Sequence, residues 1–209
     1  MSILKTLYFN FHYFGFQGLF ILPVLIGKHV ELRELKGKVI CEIFKTAAVQ
    51  IGLTEMGNFP MKTTTASIQN KGSIVFKGRS ILGVGTRICN SGTLTMGNNA
   101  VIMANGMIIC AESITIGNEV MISWNVNIMD TDFHKIYIDE TKNLLNPNKP
   151  IILGDNIWIC NAVTIMKGVS IGNNNVIASN SVIRKPVPNK NCIIGDNGKI
   201  IKENIRWEL

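Results

Sequence analysis

The 209-residue sequence predicts an all-β chain wound as a parallel β-helix. Two observations carry that expectation. An aliphatic residue returns at every sixth position through the second half of the chain, and the intervals are closed by glycine followed by asparagine or aspartate. A period of six matches neither an α-helix, at 3.6, nor a single strand, at two, but it suits short strands joined by tight corners and stacked as coils. Apolar residues make up 46% and charged ones 17%, too apolar for disorder and too interrupted by polar residues for an integral membrane protein.

Residues 1–65 lack the sixfold beat and are expected to form an N-terminal cap, rich in aromatics (Phe9, Phe11, Tyr13, Phe14, Phe16). Stacked coils leave their terminal faces open, so a cover is needed. Peripheral contact with a membrane surface is the competing use of this segment. The apolar run at 19–26 is shorter than the roughly 20 residues of a spanning helix, is interrupted by Pro23, and is followed by no small-residue cleavage pattern. A cytoplasmic protein is expected, at most resting on the inner face of the membrane.

Residues 66–188 are expected to form the β-helix. The beat runs through Leu153, Ile159, Ile165, Ile171, Ile177 and Ile183, with a second inward position two places earlier at Ile157, Val163, Val169, Asn175 and Ser181. Upstream it is carried by Leu82, Ile88 and Leu94, then Met96, Ile102 and Ile108, then Ile116, Ile122 and Ile128, with a two-residue slip between 108 and 116. Ile68 and Ile74 are expected to begin it. Corners fall at Gly97-Asn98-Asn99, Gly117-Asn118, Gly154-Asp155-Asn156 and Gly172-Asn173-Asn174, residue types that tolerate positive φ. A loop over 130–150 interrupts the beat, and a break of that length inside a solenoid points to function. After Lys185-Pro186-Val187-Pro188 ends the repeat, the tail over 189–209 is expected to form a short C-terminal helix.

Five cysteines, spread out and without a Cys-x-x-Cys pair, suggest neither disulfides nor zinc and fit reduced cytosolic thiols. A net charge of +7 attracts polyanions, but no basic run with interleaved aromatics marks a nucleic-acid surface, and a phosphorylated cosubstrate suits the charge better.

With the repeat and the interrupting loop in place, the sequence resembles the hexapeptide-repeat acyltransferase superfamily, particularly galactoside, maltose and capsular or exopolysaccharide O-acetyltransferases. The resemblance covers about residues 66–200 and is strongest over 151–185, in Gly154-Asp155-Asn156-Ile157-Trp158-Ile159, Ile165 to Gly172 and Ile183-Arg184-Lys185. It implies a left-handed winding, a homotrimer with sites between subunits, and acetyl transfer from acetyl-CoA to a sugar hydroxyl in surface polysaccharide synthesis, with no metal required.

The resemblance also implies residue roles. His134, in Thr131-Asp132-Phe133-His134, is the general base; a near-neutral imidazole can take a hydroxyl proton as the oxygen attacks a thioester. Asp132 or Asp130 would orient the ring, and Asn105 would contact the acceptor. Trp158 would cover the acyl or pantetheine end, and the Asn161 backbone N–H would donate to the thioester oxygen. Ser179, Arg184 and Lys185 would hold the pantetheine and phosphates, with Lys199 and Lys202 adding to them. Two departures from the family pattern stand out: Cys160 where glycine is usual, and Gly195-Asp196-Asn197 without the usual proline. Two other readings stay open, N-acetylation of an amino sugar or small amine on the same scaffold, and a β-helical scaffold without turnover.

Overall fold

The computed structural model describes residues 1–54, 59 and 64–208. It is a parallel β-helix whose strands form three sheets of nine, seven and six strands, the three faces of a prism. The first face runs from Val24–Ile26 to Ile193–Ile194, the second from Val30–Leu35 to Val182–Ile183, the third from Lys38–Cys41 to Ser170–Ile171. In the later coils each residue pairs with one eighteen positions on: Trp158 with Val176, Thr164 with Val182, Ile152 with Ser170. Three hexapeptides therefore make one coil. Ile159, Ile165, Ile171, Ile177 and Ile183 point inward and are buried, as the beat requires.

The earlier coils repeat every twenty residues, Val101 pairing with Met121 and Met107 with Asn127. The slip in the beat is this excess. It adds one inward position at the corner between the second and third faces, occupied in successive coils by Asn70, Asn90, Cys110 and Asp130, all buried. Polar groups there need internal partners. Asn90 Nδ2 donates to Asn70 Oδ1 at 2.7 Å and to the Ser73 carbonyl, and Asn70 Nδ2 donates to the Lys38 carbonyl at 3.0 Å. The other two corners turn on left-handed residues in columns: Asn99, Glu119, Asn156, Asn174 and Asn191 at one, Asn105, Asn125, Ala162, Asn180 and Asn197 at the other.

Both ends differ from expectation. Only part of the first 65 residues is a cap. The helix α1, Ile3–Ile21, covers the end, and stacking already begins at Val24–Ile26, Val30–Leu35 and Lys38–Cys41. These strands escape a search at period six because the first coil carries charge at Glu31, Arg33 and Glu34, with Glu31 and Arg33 exposed and Leu32 packed toward the core between them. Among its described residues the tail has a three-residue 3₁₀ turn, Asp196–Gly198, and no α-helix: Ile200–Lys202 runs antiparallel to Ile193–Ile194, reversed by Asn197 and Gly198 at positive φ. A β-branched pair beside an unpaired strand edge gains more from the ladder than from a helix standing alone. Val187 still bridges to Ile171, so the repeat outlasts the prolines by one strand.

Helix α1 covers the first strand by imitating a neighbour. Asn10 Nδ2 donates to the Val24 carbonyl at 2.6 Å while its Oδ1 accepts from Val24 N at 3.1 Å; Thr6 Oγ1 accepts from Ile26 N at 3.0 Å. Lys5 Nζ bonds the carbonyls of Lys28 and Val30, and His12 Nε2 that of Leu35. Edge groups that would otherwise recruit another chain are thus satisfied. The helix is kinked at Gly15, and Leu4, Tyr8 and Phe11 before the kink and Phe16 and Phe20 after it are exposed at the surface, Leu4 and Phe20 by more than 80%. No helix among the described residues is long and apolar enough to cross a membrane.

Asn10 is fully buried, so Asn10→Ala strands both polar groups of Val24. Each unsatisfied buried group costs about 1–3 kcal/mol, and the urea midpoint should fall accordingly with the slope unchanged.

Candidate active site

The interrupting loop leaves from the corner that holds the extra inward position. Asp130 is the last member of that column, and its carboxylate accepts from Ala111 N at 2.7 Å and Glu112 N at 2.9 Å. It is fully buried and turned into the coil, away from the role of orienting an imidazole. What it does is fasten the root of the loop to the coil beneath.

Beyond it the chain makes a tight turn. Thr131 Oγ1 accepts from Phe133 N, Phe133 sits at φ 62°, and His134 N donates to the Asp132 carbonyl at 2.7 Å. A bulky side chain at positive φ is uncommon and holds only where its surroundings enforce it. The outer arm closes as a small hairpin, Tyr137 bridging Leu144. His134 is exposed and borders a cleft of about 350 Å³, shared with Ser91, Thr131, Phe133, Leu144 and Asn148.

Asp132 does not supply the expected bond to the imidazole. Its Oδ2 accepts from Lys167 Nζ at 2.5 Å and from Asn146 Nδ2 at 3.0 Å. Lys167 first, then Asn146, holds its carboxyl below the usual aspartate range. Neither partner is conspicuous in the sequence. Lys167 stands at an ordinary corner, and Asn146 precedes a proline, where asparagine reads as a turn former.

The remaining candidates divide between two corners. Asn105, at φ 49°, lies at the corner between the first and second faces, in one column with Asn125, Ala162 and Asn180. The loop bearing His134 springs from the opposite end of the second face. Asn161 and Ser179 share the Asn105 corner, Ser179 Oγ donating to Asn161 Oδ1 at 2.8 Å. The Asn161 N–H has no hydrogen-bond acceptor among the described residues, which leaves it free for a ligand oxygen. Trp158 lies on the first face, its Nε1 donating to Ser123 Oγ at 3.2 Å, its ring 6.0 Å from that of Trp207. Trp207, held by the Asn156 carbonyl, comes from the tail and gave no signal in the sequence. Arg184 and Lys185 are exposed at the same corner as the loop, one coil beyond Lys167. Burial raises the Cys160 thiol above its ordinary pKa, which makes it a poor nucleophile at neutral pH.

A triangular β-helix with a histidine-bearing loop at one corner is the architecture of a hexapeptide-repeat transferase. Residues 150–185 match the family of bacterial transferase hexapeptides (six repeats). The putative lipopolysaccharide biosynthesis O-acetyl transferase WbbJ of Escherichia coli (strain K12) is 31% identical over 157 residues, 68% of this chain and 79% of that protein. The crystal structure of the polySia specific acetyltransferase NeuO superposes with a TM-score of 0.68 at 24% identity, covering 89% of this chain and 84% of that one. Galactoside acetyltransferase in complex with coenzyme A gives 0.50 at 25% identity, over 60% and 68%.

The chain belongs to the hexapeptide-repeat acyltransferase family, and its fold is the left-handed parallel β-helix. It spans less than half the length of three of the curated acetyltransferases it matches.

The Asp132–Lys167 pair predicts a pH signature. A carboxyl depressed in the folded state contributes stability above its unfolded pKa of about 3.9 and loses it as pH falls through the folded value. Hydrogen exchange of the loop amides should therefore be faster in Asp132→Asn than in the parent at pH 6–8, and the difference should shrink only as pH falls below about 4, through the depressed folded-state pKa. A difference that persisted at low pH would assign the protection to something other than the ion pair.

Proposed function

We propose that this protein is an acetyl-CoA-dependent O-acetyltransferase acting on a sugar hydroxyl in surface polysaccharide biosynthesis, with His134 as general base. The observation that carries the reading is the exposed His134 imidazole, held beside a cleft on the long loop between Asn127–Met129 and Ile151–Leu153 of a fold whose matched relatives include acetyltransferases. The hydroxyl oxygen forms a bond to the thioester carbonyl carbon as His134 takes its proton; the C–S bond then breaks, and the proton passes from the imidazolium to the departing thiolate. No acyl-enzyme is needed. The unpartnered Asn161 N–H is suited to the charge that gathers on the carbonyl oxygen.

Residues for the donor fit in kind: an apolar wall at Trp158, a free N–H at Asn161, and cations at Arg184 and Lys185 for phosphates. They fit less well in place, because Asn105, Asn161 and Ser179 stand at one corner while His134, Arg184 and Lys185 stand at another. A cyclic trimer resolves this by bringing one corner of each chain against the other corner of its neighbour, so that each site is shared. Reduced, unpaired cysteines agree with a cytoplasmic setting. Acylation of an amine instead of a hydroxyl draws no support from Asp132, since the carboxylate that would hold an ammonium group is already occupied by Lys167.

The outer side of α1 is proposed to rest on an anionic membrane surface. Residues 1–30 contain no acidic residue, and the apolar side chains are flanked by Lys5, Lys28 and Lys45. Pairing two copies through this side would set like charges together, whereas anionic lipid neutralises them. Vesicles containing phosphatidylglycerol should co-sediment the protein and neutral vesicles should not; loss of binding in Phe16→Ser/Phe20→Ser is expected. Equal recovery with both vesicles would overturn the anionic-lipid contact, and recovery with neither would overturn any lipid contact.

Calorimetric titration should show one acetyl-CoA site per chain, weakened about tenfold or more when Arg184 and Lys185 are replaced by alanine, a loss of roughly 1.4 kcal/mol. His134→Ala should leave that affinity within twofold while lowering acetyl transfer to galactosides or oligosialic acid by on the order of a hundredfold. Absence of CoA binding would favour the scaffold reading, and an unaltered rate would remove His134 as the base.

A further inference from the structure

We infer that Lys167 and Asn146 are positioning residues that clamp the backbone of His134 against the coil, a role that has catalytic meaning only if His134 is the base as proposed above. Asn146 spends all of its side-chain hydrogen-bonding groups on the segment around that histidine. Its Nδ2 donates to the His134 carbonyl at 2.8 Å and to Asp132 Oδ2 at 3.0 Å, and its Oδ1 accepts from Ile136 N at 2.6 Å. Lys167 reaches out from the next coil to donate to Asp132 Oδ2 at 2.5 Å and to the Asn146 carbonyl at 3.1 Å.

The bonds fall where a positioning device needs them. His134 is held on both sides, its N–H by the Asp132 carbonyl and its carbonyl by Asn146. The hairpin tip at Tyr137 and Leu144 takes no part. The charged pair is partly sheltered, with side-chain exposures of 17% for Lys167 and 32% for Asp132, so it is stronger than a fully exposed ion pair. The anchor is firm as well. Lys167 precedes Gly168, which at φ 76° donates its N–H to the Lys149 carbonyl and so ties the far end of the loop to the same corner. A base on an untethered loop would lose much of the advantage that comes from being held in reach of its proton.

The protein has three histidines, so selective ¹³C labelling of histidine gives three ring Cε1–H resonances, with His134 assigned by its disappearance in His134→Ala. In Asn146→Ala and in Lys167→Met the His134 resonance should move or broaden while those of His12 and His29 stay in place; Lys167→Arg should retain the native signal. In acetyl transfer to oligosialic acid or galactosides, the first two variants should lower kcat at least tenfold with the acetyl-CoA KM within twofold. They should add nothing to the loss already caused by His134→Ala. Unchanged His134 resonances in both variants would overturn the clamp, as would a rate loss equally large in the His134→Ala background. A displaced resonance with an unchanged rate would leave the clamp standing and overturn His134 as the base, so the two failures are distinguishable.

Discussion

Everything in this molecule depends on one constraint: each coil must retrace the path of the coil below so that its backbone pairs in register and its inward aliphatics stack. Ile122, Ile159, Ile177 and Ile194 follow one another up the first face, each 0–1% exposed, and no coil buries its own triangle without the next. Burying an isoleucine is worth about 1.5–3 kcal/mol, but only when a neighbour completes the enclosure. The constraint also defines the two weak places, the terminal coils. Both are closed with hydrogen-bonding groups, by Asn10 and Thr6 on helix α1 at one end and by the reversed strand Ile200–Lys202 at the other.

The same constraint decides where function can be inserted. A strand cannot depart from the ladder without orphaning its partners above and below, whereas at the corner where the loop leaves, a side chain replaces the lost backbone acceptor: Ser91 N and Gly92 N donate to the Cys110 carbonyl, while Ala111 N and Glu112 N donate to the Asp130 carboxylate. The corner between the second and third faces is widened by one inward residue in four successive coils, and the fourth occupant, Asp130, has the charge to hold two backbone N–H groups at once. Such an anchor lets twenty residues leave and return with the ladder intact: Ile114 still pairs with Ile151 across the excursion.

How much of this the sequence disclosed follows from the same physics. The inward positions were readable because stacking imposes a strict spacing, and corners because positive φ selects asparagine and glycine; hence the run from Leu153 to Ile183 and the turns at Asn156 and Asn174 were visible. The first coil was not readable. Its outward residues Glu31 and Arg33 carry charge, and the 25 positions that separate Val24 from its partner Val49 do not recur downstream. His134 stood out by lying in the interruption. Its supports did not, because Asn146 acts through contacts 10 to 14 positions apart and Lys167 through contacts 21 and 35 apart, and such pairings have no local pattern. Asp130 and Asp132 look interchangeable in Asp130-Thr131-Asp132, yet the chain leaves the coil directly after Asp130, so the first is turned inward while the second stands on the loop, and their partners differ entirely.

Two residues with one between them serve successive tiers of a single support: Asp130 pins the root of the loop to the coil beneath, and Asp132, through Lys167, pins its rising limb to the coil that follows. A loop held only at its root would pivot about residue 130; one held only at Asp132 would be free to slide along the corner. With both in place the chain enters the turn at Phe133 from a fixed start, the turn is closed by Thr131 Oγ1 and the Asp132 carbonyl, and His134 emerges beside the cleft. The proposed chemistry thus makes no demand on the coil for flexibility. The coils supply two fixed points, and His134 stands only two residues beyond the second of them.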